Sequence, residues 1–444
     1  TDADRLTRLE AFRALGKIAS SATPQILPAL LPWLQRASDE ERIIILDIAR
    51  RVGDASSVAE LLWAAEHLSV AENRRLESLL FDLGLKCIPQ LIQVAREAAA
   101  PFHARSLAVR GLARLSLPQL LLIVDDLLDQ ELTRAEHALD AHHSLQPFVE
   151  SSPGHTVLVR YYRDAVAEGL VFLLELLSLT GKLPDFEMIR AMLSFANPRD
   201  RANAIETIEQ SCTRRLFARM QRLIQSTVSD SGLISAGPAG SALSVAEVLH
   251  RAAQSEVPLE VIAGIFALHE SGTADGPGLV KQRLERPVHP RLAEAFVAML
   301  AWFGASGSDI EHPLMRVHTL IRASFFGESR IVAIDFLARQ GRWIRHAPEA
   351  RIYGCDDRGD SLYVLASGSV QLRAPARCLE LRIGSTFGQR VLMGEPVRGE
   401  DAIAGPNGCE CVVLAADSVM RGIEVFPSLG VGLYQFKTQP ALAL

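Results

Sequence analysis

Cysteine is scarce and scattered in this chain of 444 residues: six, at Cys87, Cys212, Cys355, Cys378, Cys409 and Cys411. None forms the CxxC pair of a zinc site, and their density is too low for a disulfide scaffold, which points to a reducing compartment. Cys409 and Cys411 are two apart in what reads as a strand, so they share a face and read as buried thiols. Basic runs are lacking as well. With 46 Lys and Arg against 52 Asp and Glu, the formal net charge is −6. Binding to DNA or RNA needs clustered cations to neutralise phosphates, so no nucleic-acid partner is expected. Long apolar runs are missing too: ILPALLPWLQR (26–36) and LPQLLLIVDDLLDQ (117–130) fall short of the roughly 18 to 20 apolar residues of a spanning helix. No basic segment followed by an apolar signal region opens the chain. The expectation is a cytoplasmic protein without direct membrane insertion. Because the chain begins at Thr1, it reads either as a processed protein or as a piece of a longer one.

The motifs of common active sites are also absent: no HExxH, GxSxG or GxxxxGK[ST], and no GxGxxG after a strand. Gly237–Ala242 is glycine-rich but lacks the lysine and the strand-to-helix setting of a phosphate loop. In the densest histidine group, AEHALDAHHS (135–144), His137 and Asp140 share a helix face while His142 and His143 project elsewhere, so a three-ligand metal face does not form and a polar surface patch is expected. No catalytic residue and no metal ligand is nominated. The expectation is a protein that is not an enzyme.

What is present is a repeat. EAFRALGKIA (10–19), IILDIARRVGDAS (44–56), ESLLFDLGLKCIP (77–89) and LAVRGLARLSLPQ (107–119) share one plan: an amphipathic helical run, a small residue that ends it, and a second apolar helix. The anchors Gly16, Gly53, Gly84 and Ser116 recur every 31 to 37 residues, the spacing of stacked helical hairpins. With Pro24, Pro28, Pro89, Pro118 and VRGLA (109–113), these units resemble HEAT repeats. An irregular helical bundle is the alternative. The expected division is a HEAT-like α-solenoid over 1–230, further helical repeats over 231–335 after the linker SGLISAGPAGSALS (231–244), and a β-domain over 336–444. Stacked hairpins form extended surfaces that bind proteins.

Beyond about Gly341 the pattern changes. DSLYVLASGSVQL (360–372) alternates Leu362, Val364 and Ala366 with Tyr363, Leu365 and Ser367, and Gly368-Ser369 reads as a turn between two strands. LELRIG (379–384), EDAIAG (400–405) and CECVVLAA (409–416) read as further strands of a small β-roll. With SLYVLASGSV (361–370), IGSTFGQ (383–389), RVLMGEPVR (390–398) and CVVLAADS (411–418), the segment from about Phe336 to Phe436 resembles the cyclic nucleotide-binding domain family. The fold class expected is therefore mainly α, an α-solenoid followed by a C-terminal β-roll.

The resemblance implies a ligand site at Phe387, Gly388, Gln389, Arg398 and Gly399. In the family, helix-terminal N–H groups and an arginine hold the cyclic phosphate, and a glutamate accepts from the ribose hydroxyl. Here Gln389 stands in the place of that glutamate, and Gly399 and Glu400 follow Arg398, so a charge-assisted bond is lost and a carboxylate is brought near the phosphate. The chain leaves no room for the family's long coupling helix after Phe426–Lys437, and it shows no helix-turn-helix. Two readings stay open: a degenerate, structural β-roll without cofactor, or a domain that binds a cyclic nucleotide. The order of parts, with AVAEGLVFLLELLSLTGKLPDFEMIRAMLSFANPRDRANAIETIEQ (165–210), also resembles the soluble tail of some bacterial ADP/ATP carrier-type nucleotide transporters. The function expected is a non-catalytic cytoplasmic scaffold or regulatory module that binds a protein partner, such as a membrane transporter domain. The alternative is a cyclic AMP or cyclic GMP sensor.

Overall fold

A computed structural model describes residues 2–35, 37–194, 197–229, 243–286, 288, 290–304, 311–374, 377–395 and 397–438. It is mainly helical, with an antiparallel sheet near the C-terminus. Two compact units divide the chain, Thr1–Asp140 with Ala165–Ser241 and Ala141–Asp164 with Ala242–Leu444. The proposed linker lies outside the described residues except at 243 and 244.

The first unit is built from α1 (Asp2–Ile18), α2 (Leu27–Leu30), α3 (Asp39–Val52), α4 (Val58–Ala64), α5 (Val70–Leu83), α6 (Ile88–Arg96), most of α7 (Phe102–Leu145), the second half of α8 (Pro153–Leu179), α9 (Phe186–Ser194), α10 (Pro198–Ser211) and α11 (Arg214–Ser229). Alternate helices pack on one another: α1 on α3, α3 on α5, and α4 on α6. Local chemistry sets these starts. Ser38 and Ser69 open α3 and α5 as capping boxes whose third residues, Glu41 and Glu72, return a carboxylate to the cap N–H at 2.6 Å in both cases. The same two glutamates are buried, and each takes an arginine from the alternate helix packed on it, two helices earlier in the chain: Arg8 Nε of α1 reaches Glu41 at 2.6 Å and Arg42 Nε of α3 reaches Glu72 at 2.8 Å. One carboxylate thus caps its own helix and neutralises the guanidinium that the alternate helix sends into the interface.

The four anchors play different parts. Gly53 and Gly84 end α3 and α5 with φ of 65° and 58°, conformations that glycine adopts without strain. Gly16 lies inside α1, 3.7 Å from Ile48 if given a Cβ, where a small residue admits the neighbouring helix. Ser116 is a non-helical kink, φ −158°, within α7, two residues before Pro118. The structure also joins apolar runs that the sequence breaks up. Val70–Arg96 and Phe102–Phe148 are long and apolar enough to cross a membrane by length and composition alone. Leu76, Leu79, Leu80, Leu107, Leu112 and Leu120 on them are buried in the protein.

In the second unit the start of α8 is joined by α12 (Val245–Ala253), α13 (Pro258–Glu270), α14 (Gly276–Leu284), α15 (Pro290–Gly304), α16 (Met315–Arg322) and α17 (Ile331–Gln340). Asp164 accepts from the Ile331 N–H at 2.5 Å, and Arg160 donates to the Gly327 carbonyl at 2.6 Å, so α8 positions the start of α17. His142, expected on a polar surface, is buried instead, with Nδ1 3.1 Å from the Val159 carbonyl.

The sheet follows: β1 (Arg342–His346), β2 (Arg351–Tyr353), β3 (Ser361–Ala374), β4 (Arg377–Leu381), β5 (Thr386–Phe387) and β6 (Asp401–Ala415), in the order β1-β6-β3-β4 with β2 on β6 and β5 on β3. All pairings are antiparallel. Gly368 and Ser369 do not form the expected turn. They lie within β3, where the register against β6 slips, and Gly368 has φ 77° with its Cβ position 2.2 Å from the Gly408 carbonyl. A bulge that bends a continuous strand replaces the hairpin. EDAIAG and CECVVLAA are likewise one strand, β6, bent at Gly408. Tyr353, Leu365, Val370, Leu381, Phe387, Cys409, Cys411 and Val413 fill the interior of the roll. Leu362 and Val364 on the other face are buried as well, and α16 lies against β3. Two helices, α18 (Ala416–Val425) and α19 (Gly430–Thr438), follow the sheet.

Candidate functional site

The five residues nominated for ligand binding all lie between β5 and β6, but in different surroundings. Phe387 ends β5 and is buried, stacked on Tyr363 with ring centroids 5.0 Å apart and planes 15° from parallel. Tyr353 lies 5.7 Å from Tyr363 and 6.1 Å from Phe387, completing an aromatic cluster inside the roll. Gly388 takes φ 74° and precedes a short 3-10 helix, Gln389–Met393. Gln389, which replaces the expected carboxylate, is 7% exposed. Gly399 is exposed; a Cβ there would stand 3.0 Å from Arg390 Nη1.

Arg398 gathers these pieces. Its backbone is fixed on both sides, the N–H donating to Asp357 O and the carbonyl accepting from Asp356 N, each at 2.9 Å. Asp356 adopts φ 67° to close that loop. The guanidinium turns inward and is 7% exposed. Nη1 donates to the Gly388 carbonyl and Nη2 to the Ser361 carbonyl, both at 2.7 Å. Its Cζ stands 4.5 Å from the Tyr353 ring centroid and 5.8 Å from that of Tyr363, within cation–π range. Two glycines make space for it: a Cβ on Gly359 would fall 2.1 Å from Arg398 Nε, and one on Gly388 2.6 Å from Nη1.

The structure therefore brings Phe387, Gly388 and Arg398 together. Sequence reasoning missed Gly359, Tyr353 and the Ser361 carbonyl, and the signals for them were a glycine before β3 and an aromatic residue at the end of β2. Burial raises the Tyr353 hydroxyl above its ordinary pKa, and the charge of Glu400 adds to that while Arg398 opposes it. Burial likewise raises Tyr363. Arg398 Nε, the Tyr353 hydroxyl and Thr386 Oγ1 are buried without a hydrogen-bond partner among the described residues. Each terminal nitrogen of the guanidinium thus spends one of its two N–H groups on a main-chain carbonyl, and Nε spends none. Cys409 and Cys411 are buried in the same interior, and mutual hydrogen bonding, with burial, raises the Cys411 thiol far above its ordinary value.

No protein-family model and no characterised protein sequence matches the chain. Part of it is similar to solved structures. The catabolite activator protein of Thermus thermophilus is 23% identical over 26% of this chain and 57% of its own, with a TM-score of 0.25. The regulatory domain of Toxoplasma gondii PKA with cAMP is 20% identical over 28% of this chain and 49% of its own, TM-score 0.25. A cyclic nucleotide-binding domain from Methylobacillus flagellatus is 16% identical over 29% of this chain and 75% of its own, TM-score 0.25. The match thus spans 57% and 49%, about half, of the first two of these solved chains.

Proposed function

We propose that the chain is a non-catalytic cytoplasmic binding module: HEAT-like hairpins of the first unit present a surface to a protein partner, such as a membrane transporter domain, and the β-roll braces the second unit without needing a ligand. The observation that carries this reading is the guanidinium of Arg398, spent on the carbonyls of Ser361 and Gly388. If the guanidinium turned away from these two buried carbonyls to meet a phosphate, each carbonyl left unpaired would cost about 1–3 kcal/mol before any binding is gained. Calorimetry with cyclic AMP and cyclic GMP at millimolar concentration tests the β-roll, with no saturable heat expected. Capture of partners from the native organism tests the surface. Charge reversals on the helical hairpins reduce it if the reading is right, and indifference to all of them sinks it.

One observation favours the alternative, a cyclic nucleotide sensor. The buried Arg398 has no carboxylate among its partners, and a buried charge is costly without a counter-charge. A phosphate would supply it. Saturable heat with either nucleotide, lost in Arg398→Gln, would establish the sensor and remove the structural reading of the β-roll.

A further inference from the structure

We propose that the groove between α3 and α5 is a docking site for a single oxyanion, the phosphate or carboxylate of a peptide segment on a protein partner. The proposal rests on reading the helical hairpins as a protein-binding surface. The groove has a volume of about 180 Å³ and is lined by Leu46, Asp47, Arg50, Arg74, Arg75 and Ser78. The interface between these two helices has two sides of opposite character. Inside, Arg42 and Glu72 are buried and neutralise each other. Outside, three arginines, Arg50, Arg74 and Arg75, line the groove.

Arg50 pairs with Asp82 at 2.5 Å and Arg75 with Asp47 at 3.2 Å, and all four side chains are about half exposed. Ion pairs this open are weakly held and exchange readily for a better acceptor. Arg74 is exposed and makes no hydrogen bond or ion pair among the described residues, and the Ser78 hydroxyl makes none either. Arg50, Arg74 and Arg75 against Asp47 and Asp82 leave a surplus of one positive charge. A guanidinium fork is matched to the paired oxygens of a carboxylate or phosphate, and arginine clusters are a recurring device for acidic and phosphorylated peptides. The carboxylates of Asp47 and Asp82 beside these arginines would repel a polyanion strand, which favours a single oxyanion.

The test is fluorescence anisotropy of the full chain with three labelled peptides that share one sequence and differ at the central residue, phosphoserine, glutamate or serine. The first two are expected to bind, more weakly as salt rises, and the serine peptide not to bind. Arg74→Glu weakens binding by at least about tenfold with a nearly unchanged thermal midpoint, because Arg74 is exposed and makes no hydrogen bond or ion pair among the described residues. Preference for phosphoserine over glutamate assigns the site to phosphate, and equal binding assigns it to any carboxylate. Equal binding by Arg74→Glu and the parent, or no binding of either anionic peptide at millimolar protein, overturns the groove. If that happens while partner capture still responds to reversals elsewhere on the hairpins, the broader reading survives without it.

Discussion

Arg398 Nη2 donates to the Ser361 carbonyl at 2.7 Å and ties the segment before β6 to the first residue of β3 across 37 positions. Its partner bond to Gly388 makes the same side chain hold β5. Removing it strands two buried carbonyls and strips Tyr353 of its cation. Arg398→Ala is therefore expected to destabilise the β-roll by about 2–4 kcal/mol. Arg398→Lys recovers little, because one ammonium on a flexible stem does not reach two carbonyls as a planar fork does. Urea unfolding followed by tyrosine fluorescence measures both, and equal stability of the alanine variant and the parent contradicts the clamp.

The clamp also dictates its glycines. Gly359→Ala places a methyl group 2.1 Å from Arg398 Nε, so the guanidinium must leave, and a loss similar to that of Arg398→Ala follows. In an Arg398→Ala background the Gly359→Ala change is expected to cost under about 0.5 kcal/mol, a strongly non-additive cycle. Gly388→Ala differs in kind. Its φ of 74° keeps a penalty of about 1 kcal/mol or more even without the arginine. Thermal unfolding of the parent, the three single variants and the two doubles with Arg398→Ala decides it, and additivity at Gly359 is the result that removes the steric argument.

The sequence announced the β-domain through the alternation of 361–367, since a strand with both faces covered still spaces its large residues by two, and it announced most helices through their apolar period. Gly368 misled because glycine serves a turn and a bulge equally well, and only the strand opposite, with the Gly408 carbonyl at 2.2 Å from its Cβ position, selects the bulge. His142 misled because helix periodicity cannot tell which face a later segment will cover, and Val159 supplies that cover. At the site, Phe387, Gly388, Gln389, Arg398 and Gly399 come only from what the family resemblance implies. What Arg398 does there could not be read at all, because its acceptors are main-chain carbonyls, which carry no signature in the residue alphabet.

Buried and open ion pairs along the hairpins should respond very differently. Glu72 is 2% exposed, pairs with Arg42 and caps α5. Glu72→Ala removes the buried carboxylate beside Arg42, leaving that guanidinium only the exposed carboxylate of Asp39, and uncaps the helix start, a loss of about 2–4 kcal/mol. Arg50→Ala, which breaks the half-exposed pair with Asp82, costs about 1 kcal/mol or less. Chemical denaturation with far-ultraviolet dichroism compares them, and similar losses for the two would mean that burial does not govern these pairs.

Acid should loosen the second unit through the histidines near Glu270. His155 is 5% exposed, its Nδ1 2.9 Å from Ser152 Oγ, and burial holds its pKa below the ordinary 6.5 although the charge of Glu270 opposes this. His318 is lowered first by burial and then by Arg322, against Glu150 and Glu270. Burial raises the Glu270 carboxyl, but hydrogen bonds from His312 and Ser152 outweigh it and hold the group below 4.5. A group depressed in the folded state binds its proton more readily when unfolded, so its contribution is complete above the unfolded pKa and disappears as pH falls through the folded one. The two histidines therefore remove stability below about pH 6.5, and Glu270 removes more below about 4.5. Glu260, raised by burial, works in the opposite sense, its contribution being lost as pH rises through its folded pKa. Unfolding midpoints measured from about pH 7.5 down to 5 should fall for the parent and fall less steeply for His155→Asn, which keeps a polar group near Ser152 but does not titrate. Identical slopes for the two proteins would exclude His155 as a source of the acid sensitivity.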